Sequence, residues 1–129
     1  MATGKMSTPL ARVRGLGAAK SGTDHFWRQR LTAVANVPLV IAFVLIVVAL
    51  LGRNHAYVVQ TLGSPLVAII MLLFIFSVTT HMRIGMQVII EDYVHDERHK
   101  LALTMANTFF TIAVALASAF AILMLSFKV

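Results

Sequence analysis

Cysteine is absent from the 129-residue chain, which excludes a disulfide, a conventional iron–sulfur cluster and a covalently attached haem. Any redox work therefore falls to a group held by histidine or to a diffusible cofactor. Charge is also scarce: 12% of residues are charged, with Asp+Glu 5 against Lys+Arg 11. So thin a supply of charge does not suit the solvated surface of a soluble domain of this length.

What is abundant is apolar. Hydrophobic residues make up 59% of the chain and the mean hydropathy is +0.86, so the expectation is an integral membrane protein. A hydrocarbon core of about 30 Å needs about 20 residues of helix at ~1.5 Å each, which leaves room for about three spans. A large solvent-filled cavity inside one copy is not expected at this size. The net charge of +6 lies mostly ahead of the first apolar run, where Lys5, Arg12, Arg14, Lys20, Arg28 and Arg30 face a single acid, Asp24. Beside a span, such a tail is explained by topology and attraction to anionic lipid, and no nucleic acid is expected as a partner. The first apolar run begins too late and is too long for a secretory signal, so it is expected to be retained.

The predicted fold is all-α: a three-helix transmembrane anchor with its N-terminus inside, forming part of a larger helix bundle. Residues 1–22 are Gly/Ala-rich and basic and are expected to be a flexible or partner-bound tail. Residues 23–129 form the transmembrane domain, with spans at 28–51, 65–91 and 101–127. Thr23 or Asp24 is the expected N-cap of the first helix, with Phe26 and Trp27 at interfacial depth. Asn36 and Pro38 interrupt that span and need neighbouring helices to re-satisfy its backbone. The stretch Gly52-Arg53-Asn54-His55 ends it, and Pro65 at a helix N1 position opens the second. Ala106, Ala113, Ala117 and Ser118 suit the third span to close helix contacts. The basic tail against a connector carrying one basic residue places the N-terminus on the cytoplasmic or matrix side, together with Arg28, Arg30, Asp92, Tyr93 and His95.

The unusual stretch runs from Ser77 to Tyr93, because it puts His81 inside hydrocarbon, where an ionisable group is costly and marks a functional site. On a helix turning about 100° per residue, His81, Gly85, Val88 and Asp92 lie within about 40° of one line. His81 sits about 16 Å along that line from Asp92, which reaches the interface. Gly85 removes a side chain beside the imidazole and would let a flat macrocycle approach. Two readings of His81 stay open: an axial ligand to haem iron, and an interhelical hydrogen bond. No other histidine lies deep in a span, so a haem held by two imidazoles needs its second ligand from another chain. Arg83 falls on the opposite face and is read as snorkelling or paired with another subunit. Arg28 and Arg30 stand where bidentate contacts to carboxylates such as haem propionates are feasible. Tyr93, with Asp92 beside it, is either a phenol suited to a quinone carbonyl or an aromatic-belt residue next to a capping carboxylate.

The pattern His81-x3-Gly85-x6-Asp92-Tyr93, preceded by Gly22-x3-Phe26-x3-Arg30-x-Thr32-Ala33, resembles the small hydrophobic anchor subunit (the D-type, or cytochrome b small subunit) of bacterial and mitochondrial succinate dehydrogenase. The resemblance covers the chain from Gly22 onward. It implies that His81 is an axial ligand of haem b shared with a second, C-type anchor. It implies that Tyr93 hydrogen-bonds ubiquinone with Asp92 beside it, and that Arg30 approaches a haem propionate. Trp27 and Arg28 have no firm counterpart and stand as quinone-pocket or subunit contacts. The implied partners are the second anchor, an iron–sulfur subunit, a flavoprotein subunit and membrane lipid, in the bacterial or mitochondrial inner membrane. The chain would carry no catalytic residue for succinate and would have no activity alone. Two alternatives remain: a non-redox membrane scaffolding or assembly protein, and the anchor of a quinol-fumarate reductase. A small transporter or channel is disfavoured, since only one span holds buried ionisable groups and no broken-helix pair is visible.

Overall fold

A chain segment in hydrocarbon must satisfy its own backbone groups, which leaves helix as the solution for a single apolar run. The computed structural model describes residues 8–14 and 21–127, and among these residues the regular structure is helical. Five helices follow in order: α1 (Pro9–Val13), α2 (Ser21–Leu50), α3 (His55–Leu62), α4 (Pro65–Tyr93) and α5 (Glu97–Phe127). Helices α2, α4 and α5 are long and apolar enough to cross a membrane.

The helix ends follow from local chemistry. Gly52, with φ 69°, takes the left-handed conformation just past α2 that a residue with a Cβ rarely adopts. Asn54 then caps α3, its Oδ1 accepting the Tyr57 N–H at 2.9 Å. Pro65 opens α4 as expected, because its missing N–H is not needed in a first turn. Asp96 caps α5, accepting the N–H groups of Arg98 and His99 at 2.9 Å each.

Two local expectations are corrected. Helix α2 begins at Ser21, so Asp24 lies in its first turn instead of capping it. A carboxylate is favourable there too, because it faces the positive end of the helix dipole. The stretch after Gly52 is not a plain connector but holds α3. Within the N-terminal tail, residues 9–13 are helical, with Pro9 as the first helical residue. The rest of the expected tail, residues 1–7 and 15–20, lies outside the described residues.

The three spans form a row with α4 in the middle: α2 and α5 both pack extensively on it and little on each other. Burial agrees, since none of α2's most apolar stretch is buried, against 22% of α4's and 11% of α5's. The α2–α4 seam is held by Phe43 stacked on Phe74 at 4.6 Å and by Ser77 Oγ donating to Asn36 Oδ1 at 2.7 Å. Asn36 is thus satisfied by a neighbouring helix. The α4–α5 seam carries Asn107 Nδ2 donating to the Arg83 carbonyl at 2.9 Å. Thr79, Thr80, Thr108 and Thr111 return their hydroxyl protons to carbonyls four residues earlier, which removes free donors from the spans. At the far end α3 lies against α5 so closely that a Cβ on Gly63 would come 2.5 Å from the Leu125 carbonyl oxygen. The α5 alanines singled out above do not supply these contacts: Ala106, Ala113 and Ala117 are exposed, while Thr111 and Ile122 are buried.

Candidate functional site

Helices α2 and α4 run antiparallel, so the start of α2 meets the end of α4. That places His81 against Thr32, with His81 Nδ1 3.1 Å from Thr32 Oγ1. Thr32 Oγ1 also donates to the Arg28 carbonyl at 2.7 Å and approaches the Gln29 carbonyl at 3.1 Å. His81 is half-buried, and among the described residues its Nε2 takes no hydrogen bond. Nor is that nitrogen enclosed, because the buried side-chain polar atom lacking a partner is Gln29 Oε1. The imidazole therefore has one nitrogen tied to the neighbouring span and the other without a hydrogen bond from the described residues.

Gly85 does not leave an open cradle. The Gln29 side chain lies over it, 3.4 Å from where a Cβ would stand, so the close approach that Gly85 permits is filled from within the chain. Next to this contact a groove of about 460 Å³ is lined by His25, Phe26, Gln29, Arg30, Ala33, Ile84 and Val88. Arg30 packs its guanidinium 4.2 Å from the centre of the Phe26 ring, a cation–π contact. Among the described residues the basic side chain within reach of a carboxylate is His99, its Nδ1 3.0 Å from Asp96 Oδ1, so Arg28, Arg30 and Arg83 have no carboxylate partner within the described part of the chain. Arg83 offers its carbonyl, not its charge, to α5.

Asp92 and Tyr93 close α4. Both are exposed, Tyr93 at 77%, and neither lines the groove. Adjacent helical residues point about 100° apart, so Asp92 continues the His81 face while Tyr93 turns off it. Trp27, 65% exposed, meets Phe26 edge-on at 6.0 Å and faces outward. The structure thus brings together His81, Thr32, Gln29 and Gly85, and leaves Trp27, Arg28, Asp92 and Tyr93 on outer surfaces. Thr32 and Gln29 were not read as site residues from the sequence. The signal was present: Gln29, Thr32 and Asn36 form a polar stripe at three- and four-residue spacing in an otherwise apolar span.

A donor set can be tested on this geometry. An imidazole with one nitrogen hydrogen-bonded and the other unshared suits a metal ligand held by an outer partner. Among the described residues no three histidine, cysteine or acidic side chains gather to hold a metal, so a metal held by His81 would need its other ligands from elsewhere.

These features define a class: a small multi-pass helical membrane protein with a half-buried histidine within its middle span and an arginine- and aromatic-rich rim at one end. Within that class the chain belongs to the succinate dehydrogenase/fumarate reductase transmembrane subunit family, whose model matches residues 4–115. It is 30% identical over 102 residues, covering 79% of each chain, to the succinate dehydrogenase hydrophobic membrane anchor subunit of Paracoccus denitrificans. It is 28% identical over 103 residues to the subunit of the same name from Rickettsia bellii, covering 80% of this chain and 82% of that one. To the succinate dehydrogenase membrane anchor subunit of Reclinomonas americana it is 35% identical over 85 residues, 64% of this chain and 71% of that one. No solved structure matches it significantly.

Proposed function

We propose that this chain is a membrane-anchor subunit of succinate:ubiquinone oxidoreductase, the respiratory complex II, in which His81 supplies one axial ligand of a haem b shared with a second anchor subunit. The observation that carries this is the His81 imidazole, tied to Thr32 through Nδ1 and without a hydrogen bond at Nε2 from the described residues. The family membership and the names of the relatives support the complex, and all three relatives point to succinate dehydrogenase over fumarate reductase. The remaining partners are an iron–sulfur subunit and a flavoprotein subunit, which oxidise succinate; the chain itself acts on no succinate.

A b-type haem, when bound, supplies a one-electron site within the membrane. The chain's own part is to present the Nε2 lone pair of His81 and to offer Arg30, which has no carboxylate partner among the described residues, to a propionate. At the end of α4 the Tyr93 phenol donates a hydrogen bond to a ubiquinone carbonyl, and the Asp92 carboxylate accepts and passes on protons as the quinone is reduced. Because both side chains are exposed, the rest of that pocket comes from partner subunits, with Trp27 and Arg28 contributing at its edge or at the subunit contact. The basic tail puts this end on the cytoplasmic or matrix side.

The test is a reduced-minus-oxidised spectrum of the purified complex. With His81→Ala the b-haem band is expected to disappear or change its coordination signature, and an unchanged band would remove the ligand assignment. In the same preparation Tyr93→Phe is expected to lower kcat/KM for quinone about tenfold, equivalent to ~1.4 kcal/mol. Normal quinone reduction in both variants would point instead to a scaffold without a redox role.

A further inference from the structure

We propose that Thr32 is the positioning residue for His81, deciding which imidazole nitrogen carries the proton and therefore which one is free to bind metal. The proposal rests on the reading of His81 as a haem ligand. Its basis is a count of hydrogens. A threonine hydroxyl has one proton to donate and lone pairs to accept with. Thr32 Oγ1 stands 2.7 Å from the Arg28 carbonyl oxygen and 3.1 Å from both the Gln29 carbonyl oxygen and His81 Nδ1.

If the hydroxyl gave its proton to Nδ1, its oxygen would face the Arg28 carbonyl at 2.7 Å lone pair against lone pair. The hydroxyl proton therefore goes back to its own helix, and Oγ1 accepts from Nδ1–H. A neutral imidazole protonated at Nδ1 has its lone pair on Nε2, the nitrogen that takes no hydrogen bond within the described chain. Back-bonding of this kind also holds Thr32 in one side-chain rotamer. Four residues further along α2, on the same face, Asn36 receives the Ser77 hydroxyl at 2.7 Å and pins the register of α2 against α4. The orientation of the ring is thus set by a residue on a different span from the histidine itself.

The experiment compares Thr32→Val, Thr32→Ser and His81→Ala in the intact purified complex. It reads the haem midpoint potential and the low-spin EPR g-values alongside haem content. Removing an acceptor from Nδ1–H makes the imidazole a poorer electron donor and stabilises the oxidised iron less. Thr32→Val is therefore expected to raise the potential, a tenfold shift of the redox equilibrium corresponding to ~59 mV for one electron, and to alter the g-values. Thr32→Ser is expected to return both to the wild-type values, which a packing role of the threonine methyl would not do. Wild-type potential and g-values in Thr32→Val, in a complex whose haem signal His81→Ala abolishes, would overturn the proposal while leaving the ligand assignment standing. A haem signal unchanged in His81→Ala would instead remove the ligand assignment. If Thr32→Val does not assemble, solid-state 15N NMR of the wild-type complex decides: a His81 Nδ1–H shift of a hydrogen-bonded donor supports the proposal, and that of a donor without an acceptor overturns it.

Discussion

Asp96 has its pKa held below the ordinary carboxylate value, chiefly by the backbone N–H of His99; desolvation opposes this, and the backbone N–H of Arg98 and the His99 ring lower it further. A carboxylate whose folded pKa is depressed contributes stability above its unfolded pKa and loses it as pH falls through the folded value. The first turn of α5 should therefore loosen below about pH 4. Hydrogen exchange at the Arg98 and His99 amides, corrected for intrinsic rates, should accelerate there. Asp96→Ala should expose the same amides at neutral pH, and Asp96→Asn should protect them with no such pH dependence. Much of the histidine site was legible residue by residue: His81 stands out because an imidazole deep in an apolar run has few inexpensive explanations. What was not legible was the filling of the Gly85 gap. Residues one turn apart on α4 are related by helix geometry alone, but Gln29 is brought there by the packing of a second helix.

Helix α4 carries the unusual stretch from Ser77 to Tyr93, and it lies between α2 and α5. The length and apolarity of the spans made all three helices readable, since hydrocarbon admits little else. The short α3 was not legible because its eight residues make little more than two turns, too short a run for a helical period to stand out. Its place depends on one close approach. Gly63→Ala would put a methyl group 2.5 Å from the Leu125 carbonyl oxygen and 3.0 Å from that of Val59, both backbone atoms that cannot swing aside. The expected cost is about 1–3 kcal/mol, visible as a lower Tm of the complex. Gly85→Ala should change the Tm little, because its methyl would meet the end of a side chain at ordinary contact distance.

Taken as a whole, the chain buries little of itself. Among the described residues the buried hydrophobic side chains are Ala68, Ile84, Ile90 and Ile122, and a long series of large apolar side chains faces outward on all three spans. Lipid covers such surfaces readily, but the His81 Nε2, the Arg28 and Arg30 guanidiniums, which have no carboxylate partner among the described residues, and the exposed Tyr93 are polar and require something else. The chain expressed alone in membranes is accordingly expected to show no b-haem band, and co-expression with a second anchor subunit should restore it. A full band from the chain alone would mean that copies of it supply both ligands. Composition and run length by themselves determined that this is a helical membrane protein with three spans, and the isolated histidine determined where to look, because hydrocarbon forbids unpaired backbone and penalises buried charge. Only the tertiary structure decided that α4 lies between its neighbours, that Thr32 holds one imidazole nitrogen, and that Gln29 occupies the space at Gly85. Those facts depend on the register between antiparallel helices, which a handful of interhelical contacts sets and no periodicity within one helix encodes.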